Sequence, residues 1–282
     1  MASFIKRFLL VLGAITVVRS HMSIWHPSMY AFNGTTDCVG EDCKHDQVNP
    51  ITPNSEFKDW WMRGETTINA PPNTVLNMRA GGKVTFEIAC DKEWTSYGHH
   101  YYTSRPGLAN QDACPTDAGA YHADPAAKIV NTTLIKGCAL GIADTNDIRK
   151  VGMNDITIFT VQKNCVWNKT TDFYIPPKMP KCSKGKCICT WFWLAETGTP
   201  NFYMTPFDCN VVGSPRDARP LAKPKPPVYC GDRKTPCTRG AKQPLYIFNK
   251  PTNYNGPLPN ENRVSYQPAW GFNDGPQNDI FK

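Results

Sequence analysis

Alternation of polar and apolar residues marks one segment of the chain as a strand. Residues Lys83 to Cys90 read K-V-T-F-E-I-A-C, with an apolar residue at every second position from Val84 onward. A period of two is typical of a strand with one face toward the core. We therefore predict a strand here, with Val84, Phe86, Ile88 and Cys90 directed inward.

Further apolar runs of strand length follow, separated by turns rich in Gly and Pro. They cover residues 137–143, 155–161, 171–175, 186–195, 202–212 and 244–248. Strands at this spacing predict an all-β fold, an immunoglobulin-like antiparallel β-sandwich with long loops, rather than an α/β fold. Residues 146–152 are the one helical candidate. Residues 28–82, rich in Pro, Asn and Gly, predict a long irregular region.

The C-terminal part of the chain changes in composition. Residues 213–229 hold five prolines and four basic residues, which predicts a stiff, extended segment. The residues that follow contain only two cysteines, Cys230 and Cys237, and one strand-like run. We therefore expect residues 21–212 to form the sandwich core, and residues 213–282 to form a disulfide-tied arm packed on the same domain.

Residues 1–20 have the features of a secretory signal peptide. Lys6 and Arg7 precede an apolar run over residues 8–18, and a small residue, Ser20, ends the segment. A run of about eleven apolar residues is too short to cross a bilayer, which needs about 20. With Val18 and Ser20 at the positions that signal peptidase reads, cleavage is expected directly before His21. The mature protein is therefore expected to be secreted, extracellular and not bound to a membrane.

A histidine at the first position of a mature chain has a special coordination chemistry. Its α-amine and its Nδ1 atom can chelate one metal ion, and one further imidazole completes a flat, three-nitrogen site that suits Cu(II). The alternative is that His21 follows the cleavage point by chance. Five histidines are candidates for the second imidazole, and spacing does not choose among them: His26, His45, His99, His100 and His122. Tyr203, a few residues before Cys209, is the candidate for an axial ligand.

Charge and cysteine content narrow the class of protein. Without residues 1–20 the chain has 28 basic and 24 acidic residues, a balance too mild for nucleic-acid binding. Twelve cysteines in an exported chain predict up to six disulfides. A zinc site at Cys182, Cys187 and Cys189 is the alternative, but paired C-x-x-C units are missing. Three N-x-T sequons, at Asn33, Asn131 and Asn168, make the protein a candidate glycoprotein.

Several longer motifs carry a resemblance to a known family. They begin with His21 and W-H-P-S-M-Y at residues 25–30, and include E-I-A-C-D-K at 87–92, A-Y-H at 120–122, C-I-C-T-W-F-W at 187–193, G-A-K-Q-P-L-Y at 240–246 and N-D-G-P-Q-N-D-I-F at 273–281. On these residues the chain resembles the fungal lytic polysaccharide monooxygenases of auxiliary activity family 14. The resemblance extends from residue 21 to the C-terminus.

The resemblance implies a particular metal site. It selects His122 as the second copper ligand, because the family places this histidine in an Ala-Tyr-His segment before a Gly-Cys-Ala strand. His21 and His122 would then form a histidine brace around one copper ion, with Tyr203 as the axial ligand of the same catalytic site. Asn201 stands where the family usually has Gln, and its shorter amide is a candidate for positioning the oxidant.

The resemblance also implies an activity: oxidative cleavage of plant cell-wall polysaccharide, expected to be xylan that coats cellulose. The reaction would use O2 or H2O2 and an external electron donor, and the protein is expected to be a monomer. A glycosidase instead needs two suitably spaced carboxyl groups, and no pair stands out, although Glu196 and Asp208 stay open as candidates.

Aromatic side chains are candidates for a sugar-stacking surface, although tryptophans in such a sandwich are often core residues: Trp25, Trp60, Trp61, Tyr101 and Tyr102. Two other functions stay open. One is a secreted copper-binding protein without cleavage activity, serving copper acquisition or a fungal cell-wall role. The other is a structural wall glycoprotein in which His21 has no metal.

Overall fold

The computed structural model describes residues 21–32, 47–98, 113–114, 118–122, 134–135, 137–195, 201–258 and 264–282. The strands within these residues are β1 (Ser23–Trp25), β2 (Leu76–Arg79), β3 (Lys83–Ala89), β4 (Cys138–Ala143), β5 (Thr157–Gln162), β6 (Thr170–Tyr174), β7 (Cys187–Leu194), β8 (Phe202–Val212) and β9 (Gly275–Pro276). One α-helix, α1, covers Phe57–Trp60, and short 3-10 helices cover Trp61–Gly64, Lys92–Trp94, Ala118–Tyr121, Ile148–Lys150 and Pro268–Trp270. None of the described helices is long and apolar enough to cross a bilayer.

The strands form two sheets. A three-stranded antiparallel sheet has the order β1-β3-β6, and a six-stranded sheet has the order β2-β8-β7-β4-β5-β9. The predicted all-β sandwich is confirmed. The expected antiparallel pairing is wrong at one place, because β2 runs parallel to β8, with Leu76 opposite Cys209. Parallel neighbours need a long connection, and more than a hundred residues separate these two strands.

Two layers of apolar side chains cover the two faces of the six-stranded sheet. The first core, between the sheets, contains Phe86 and Phe173 from the small sheet and Trp191 from β7. The second core lies on the opposite face and contains Phe192 from β7 together with Trp270. Because successive residues of a strand point to opposite faces, all eight residues of β7 are buried. This explains why β7 is apolar at every position except Thr190 instead of alternating.

The C-terminal arm supplies much of the second core. Leu245, Tyr246 and Trp270 are buried there, and β9 pairs with β5 at the edge of the large sheet. The backbone N–H of Ile158 on β5 donates to the carbonyl of Lys242 at 2.9 Å. The arm is thus attached to the sandwich by apolar packing and by backbone hydrogen bonds.

Most predicted strands lie where the sequence placed them, but the strand predicted at residues 244–248 is wrong. Its backbone is hydrogen-bonded to side chains: the Leu245 N–H donates to the Tyr266 hydroxyl at 3.2 Å, and the Tyr246 N–H to Asn253 Oδ1 at 3.0 Å. The run is apolar because it fills the second core, without pairing to a strand. The predicted helix at 146–152 is only the 3-10 turn Ile148–Lys150, and α1 and β2 lie within the region predicted to be irregular.

Disulfides connect the sandwich at five places among the described residues. The pairs are Cys90–Cys114, Cys138–Cys165, Cys182–Cys187, Cys189–Cys209 and Cys230–Cys237. Every described cysteine is paired, and the sulfurs of the alternative zinc site are all consumed in disulfides. Cys38 and Cys43 lie outside the described residues.

Candidate metal site

Tyr203 lies at the beginning of β8 and points into the first core. Its register partner is Trp193 on β7, and the two rings stack with centroids 4.6 Å apart and an angle of 29°. The tyrosine is 0% exposed. This burial raises the pKa of the Tyr203 phenol far above its ordinary value, so the hydroxyl keeps its proton.

His122 meets Tyr203 from a separate part of the chain. It follows the 3-10 turn Ala118–Tyr121, is 6% exposed, and places its Nε2 atom 2.8 Å from the Tyr203 hydroxyl. Its imidazole also packs on Trp193, with ring centroids 5.6 Å apart. His122 has a φ of +50°, which is uncommon for a residue with a side chain. Packing against two aromatic rings and a hydrogen bond hold this conformation.

The residue before His122 anchors the turn to the rest of the sandwich. The Tyr121 hydroxyl accepts a hydrogen bond from the backbone N–H of Cys114 at 2.8 Å, and its ring packs on Trp167 at 5.4 Å. Cys114 is bonded to Cys90, which directly follows β3. The imidazole is therefore positioned by a disulfide-linked segment and not by a regular strand.

The N-terminal strand lies against the strand that carries Tyr203. The hydroxyls of Ser23 on β1 and Thr205 on β8 are 2.7 Å apart, and both residues are fully buried. Thr205 is two residues from Tyr203 on the same face of β8, and His21 is two residues before Ser23. Two extended residues span at most about 7 Å, so the half-buried His21 stays close to this contact.

Arg63 is a neighbour of this site that the sequence analysis did not identify. Its guanidinium donates to the carbonyls of Gln47 at 3.1 Å and Asn49 at 2.7 Å, and Ile51 in the same segment pairs with Phe202 at the start of β8. The positive charge of Arg63 lowers the pKa of the Tyr203 phenol, although burial is the larger effect. No local motif signals this role, because the carbonyls lie 14 to 16 residues from Arg63.

The structure corrects the prediction of an aromatic substrate surface at Trp60 and Trp61. These side chains are 1% and 3% exposed and belong to the second core. The Trp60 ring packs on Phe202, and the Trp61 indole N–H donates to the carbonyl of Ile148 at 3.0 Å. Trp25 is also buried, and its indole N–H donates to a backbone carbonyl. None of the three offers a ring face to a polymer.

Other candidate residues have different positions. Asn201 is half-buried directly before β8, two residues from Tyr203. His26 packs edge-on against Phe86, and its Nδ1 accepts from the Ser28 N–H at 3.0 Å. Burial lowers the pKa of this half-buried histidine. Outside the described residues lie His45, His99, His100, Tyr101, Tyr102 and Glu196.

The donor atoms of the site are nitrogen and oxygen. Among the described residues, no three His, Cys, Asp or Glu side chains lie close enough together to hold a metal ion. The pair formed by His122 and Tyr203 offers one imidazole nitrogen and one phenol oxygen. The fold and this pair define an all-β, disulfide-linked protein with a buried histidine–tyrosine pair beside its N-terminal strand.

Comparison with known proteins assigns the family. Residues 3–282 match the model of the family described as lytic polysaccharide monooxygenase AA14. The chain is 35% identical to AA14 family lytic polysaccharide monooxygenase B of Trametes coccinea, over 96% of this chain and 65% of the relative. It is 35% identical to the protein of the same description from Pycnoporus cinnabarinus, over 95% of this chain and 71% of the relative. A third relative of that description, from Talaromyces rugulosus, is 24% identical over 96% of both chains.

The chain belongs to the AA14 family of lytic polysaccharide monooxygenases. The family resemblance seen in the sequence is thereby confirmed, and the family is one of copper-dependent oxidoreductases. The chain spans about two thirds of the length of the Trametes coccinea relative.

Proposed function

We propose that this protein is a secreted, copper-dependent monooxygenase that cleaves glycosidic bonds of plant cell-wall polysaccharide, with xylan on cellulose as its substrate. The observation that supports this most directly is the buried contact between His122 Nε2 and the Tyr203 hydroxyl, beside the N-terminal strand of a chain that belongs to the AA14 family. In this proposal the electrons come from an external donor and the protein works as a monomer.

The chemistry of this contact fits a copper ligand set. A protonated phenol donates its O–H to an imidazole nitrogen only when that nitrogen carries no proton. An unprotonated imidazole nitrogen is also the form that binds a metal ion. The contact at 2.8 Å brings His122 Nε2 and the Tyr203 oxygen together, and in the tautomer with Nε2 unprotonated both atoms could serve as donors to one ion.

The remaining nitrogen donors are proposed to come from His21. After cleavage of residues 1–20, its α-amine and its Nδ1 would bind one ion together, and His122 Nε2 would supply a third nitrogen. A nitrogen-rich donor set suits Cu(II), and the Tyr203 oxygen would contribute less to the binding than the nitrogens. The hydrogen bond between the Ser23 and Thr205 hydroxyls supports this position of His21, because it holds the N-terminal strand against β8.

Bound copper would supply one-electron redox chemistry toward the oxygen co-substrate. The residues of this chain provide the positions of its donors. Trp193 packs on both rings and restricts their rotation, and the complete burial of Tyr203 excludes water from that side of the site. Asn201, half-buried before β8, is proposed to orient the oxidant through its side-chain amide.

Asp208 is one of the two carboxyl groups that stayed open as glycosidase candidates. Its carboxylate accepts from the Tyr30 hydroxyl at 2.8 Å and forms an ion pair with Lys186. A general acid in a glycosidase needs access to the glycosidic oxygen. Asp208 is buried and already engaged on both oxygens, so it does not suit that role.

The decisive experiment compares protein that begins at His21 with protein that has one additional alanine before it. The extension converts the basic amine to an amide, so copper affinity, measured by calorimetry, should fall by orders of magnitude. Equal affinities of the two forms would refute the brace. The copper-loaded protein that begins at His21 should then release oxidised oligosaccharides from xylan-coated cellulose when a reductant is added, as seen by mass spectrometry.

Two results would change this assignment. Tight copper binding without oxidised products from xylan, cellulose or chitin would support the secreted copper-binding protein instead. A His122→Ala variant should lose several orders of magnitude in copper affinity, whereas His99→Ala and His100→Ala should bind copper normally. If His122→Ala kept normal copper affinity, the assignment of His122 as the second ligand would be wrong.

A further inference from the structure

A groove of about 580 Å³ lies in the C-terminal arm. Its walls come from two segments, residues 226–235 and 253–258, which meet over Trp270. Trp270 belongs to the second core, whereas Tyr203 faces the first core on the other side of the large sheet. The groove is therefore a separate feature from the candidate metal site, and its volume is within the range of about 300–1,000 Å³ of ligand pockets.

Two half-buried tyrosines form the aromatic part of the groove. Tyr229 and Tyr254 both pack against Trp270, with ring centroids 5.4 Å and 4.9 Å from it. Each tyrosine also lies over a glycine two residues further along. A Cβ atom on Gly231 would come within 2.6 Å of the Tyr229 hydroxyl, and one on Gly256 would lie too close to the Tyr254 hydroxyl. A side chain at either glycine would displace the tyrosine ring from its present position.

Bonds within the two segments hold these rings in place without a ligand. The Tyr254 hydroxyl donates to the carbonyl of Pro257 at 3.1 Å, and the disulfide Cys230–Cys237 closes the loop after Tyr229. Asn253 donates to the carbonyl of Pro244 at 2.7 Å. A preorganised surface loses less conformational entropy when it binds a partner.

The lining of the groove favours a neutral ligand with both apolar and polar faces. Alongside the tyrosines lie prolines and the exposed Leu258, and the polar groups are the amides of Asn253 and Asn255 and the Asp232 carboxylate, which accepts from the Thr235 hydroxyl at 3.2 Å. No Lys, Arg or His is among the described residues that line it, which disfavours an anion. One carboxylate does not form a cation site. Flat rings beside amide and carboxylate groups match a pyranose, which presents C–H groups on its faces and hydroxyls at its edges.

We propose that this groove is a second carbohydrate-binding site, which holds a neutral polysaccharide chain away from the candidate metal site. The choice of a polysaccharide as occupant rests on the proposed function. By holding the polymer on the arm side of the large sheet, the groove would keep the protein on an insoluble substrate between cleavage events.

The test measures binding in the absence of copper, so that no cleavage takes place. Metal-free protein is titrated with xylo-oligosaccharides by calorimetry and mixed with insoluble xylan-coated cellulose in a pull-down. Tyr254→Ala should weaken binding about tenfold, which corresponds to the loss of one aromatic contact. Tyr254→Phe keeps the ring and should bind nearly as well as the wild type. Tyr174→Ala, which removes a 50% exposed tyrosine on β6, is the matched control and should bind normally.

A second variant protects the test against misfolding. Asn255 is exposed, so Asn255→Ala should fold normally and still weaken binding, because it removes an amide at the rim. If Tyr254→Ala unfolds, the result for Asn255→Ala decides. Unchanged binding by every folded groove variant would overturn the proposal. Displacement of the oligosaccharide by a proline-rich peptide that binds more tightly would also overturn it, in favour of a peptide site.

The groove and the proposed enzymatic function can fail separately. Release of oxidised products by wild-type protein, together with unchanged binding in the groove variants, would refute only the groove. Weakened binding in those variants, together with no oxidised product from the copper-loaded wild type, would refute only the enzymatic function.

Discussion

Replacement of Tyr203 by Phe separates a structural from a metal-linked role of this residue. The change removes one oxygen and keeps the ring that stacks on Trp193 at 4.6 Å. The lost hydroxyl is fully buried and lies 2.8 Å from His122 Nε2. Loss of a buried hydrogen bond costs about 1–3 kcal/mol. For a domain of this size we expect the Tm of the metal-free protein to fall by about 3–10 °C.

The copper-loaded variant should behave differently. We expect Tyr203→Phe to keep copper with an affinity within about tenfold of the wild type, because an axial oxygen is a weak ligand of Cu(II). Its paramagnetic resonance spectrum should shift modestly, because the axial oxygen is gone. Calorimetry measures the affinity, and thermal unfolding with and without copper measures the stability.

Tyr30→Phe is the matched control for this experiment. Its hydroxyl is also buried and donates to Asp208 at 2.8 Å, so a similar loss of stability is expected. Tyr30 is not a proposed ligand, and the copper spectrum of this variant should match that of the wild type. An unchanged spectrum for Tyr203→Phe as well would refute the position of Tyr203 beside the metal.

Three further predictions follow from contacts of the described residues. Replacing both Cys189 and Cys209 by Ala removes a disulfide that closes a loop of 20 residues. The free energy of unfolding, measured by urea titration, should fall by about 3 kcal/mol. A loss below about 1 kcal/mol would contradict this prediction. Arg63→Met should lower stability by about 1–3 kcal/mol and shift the copper spectrum, because the segment at 47–51 loses its hydrogen-bond donor. Arg63→Lys keeps the charge and should retain part of the stability and part of the spectrum. Identical behaviour of the two variants would show that the charge has no role. Burial lowers the pKa of His26 in the folded state below its ordinary 6.5. The contribution of neutral His26 to the free energy of unfolding is therefore complete above pH 6.5, and it is lost as the pH falls below that value. His26→Gln should therefore show a weaker loss of stability between pH 7 and pH 5, and an unchanged pH dependence would show that His26 does not titrate in this range.

The sequence by itself determined the fold class and most of the strands. The ends of strands β3 and β8 were predicted to within one or two residues. This was possible because the positions of their apolar residues and the turns that bound them are local properties of the chain. The all-β class followed from the series of such runs, and the even number of cysteines predicted disulfides, which all the described cysteines form, although the sequence left their connectivity open. The family was evident from motifs between residues 21 and 281.

Only the tertiary structure decided which surfaces those elements bury. The sequence left Trp60 and Trp61 open between a sugar-stacking surface and the core, and they are buried because the C-terminal arm builds a second core over the large sheet. Residues 244–248 are apolar because they pack into the same core, although they do not form a strand.

The contact between His122 and Tyr203 joins residues 81 positions apart. Local patterns predicted neither this contact nor the position of Arg63 near Tyr203. Both depend on how separate segments of the chain meet at the start of β8. Resemblance to a family selected His122 from five histidines, but the disulfide-linked turn that positions its ring is a property of the folded chain. Periodicity reports which residues share a face of one element, whereas a site depends on the packing of several elements against one another.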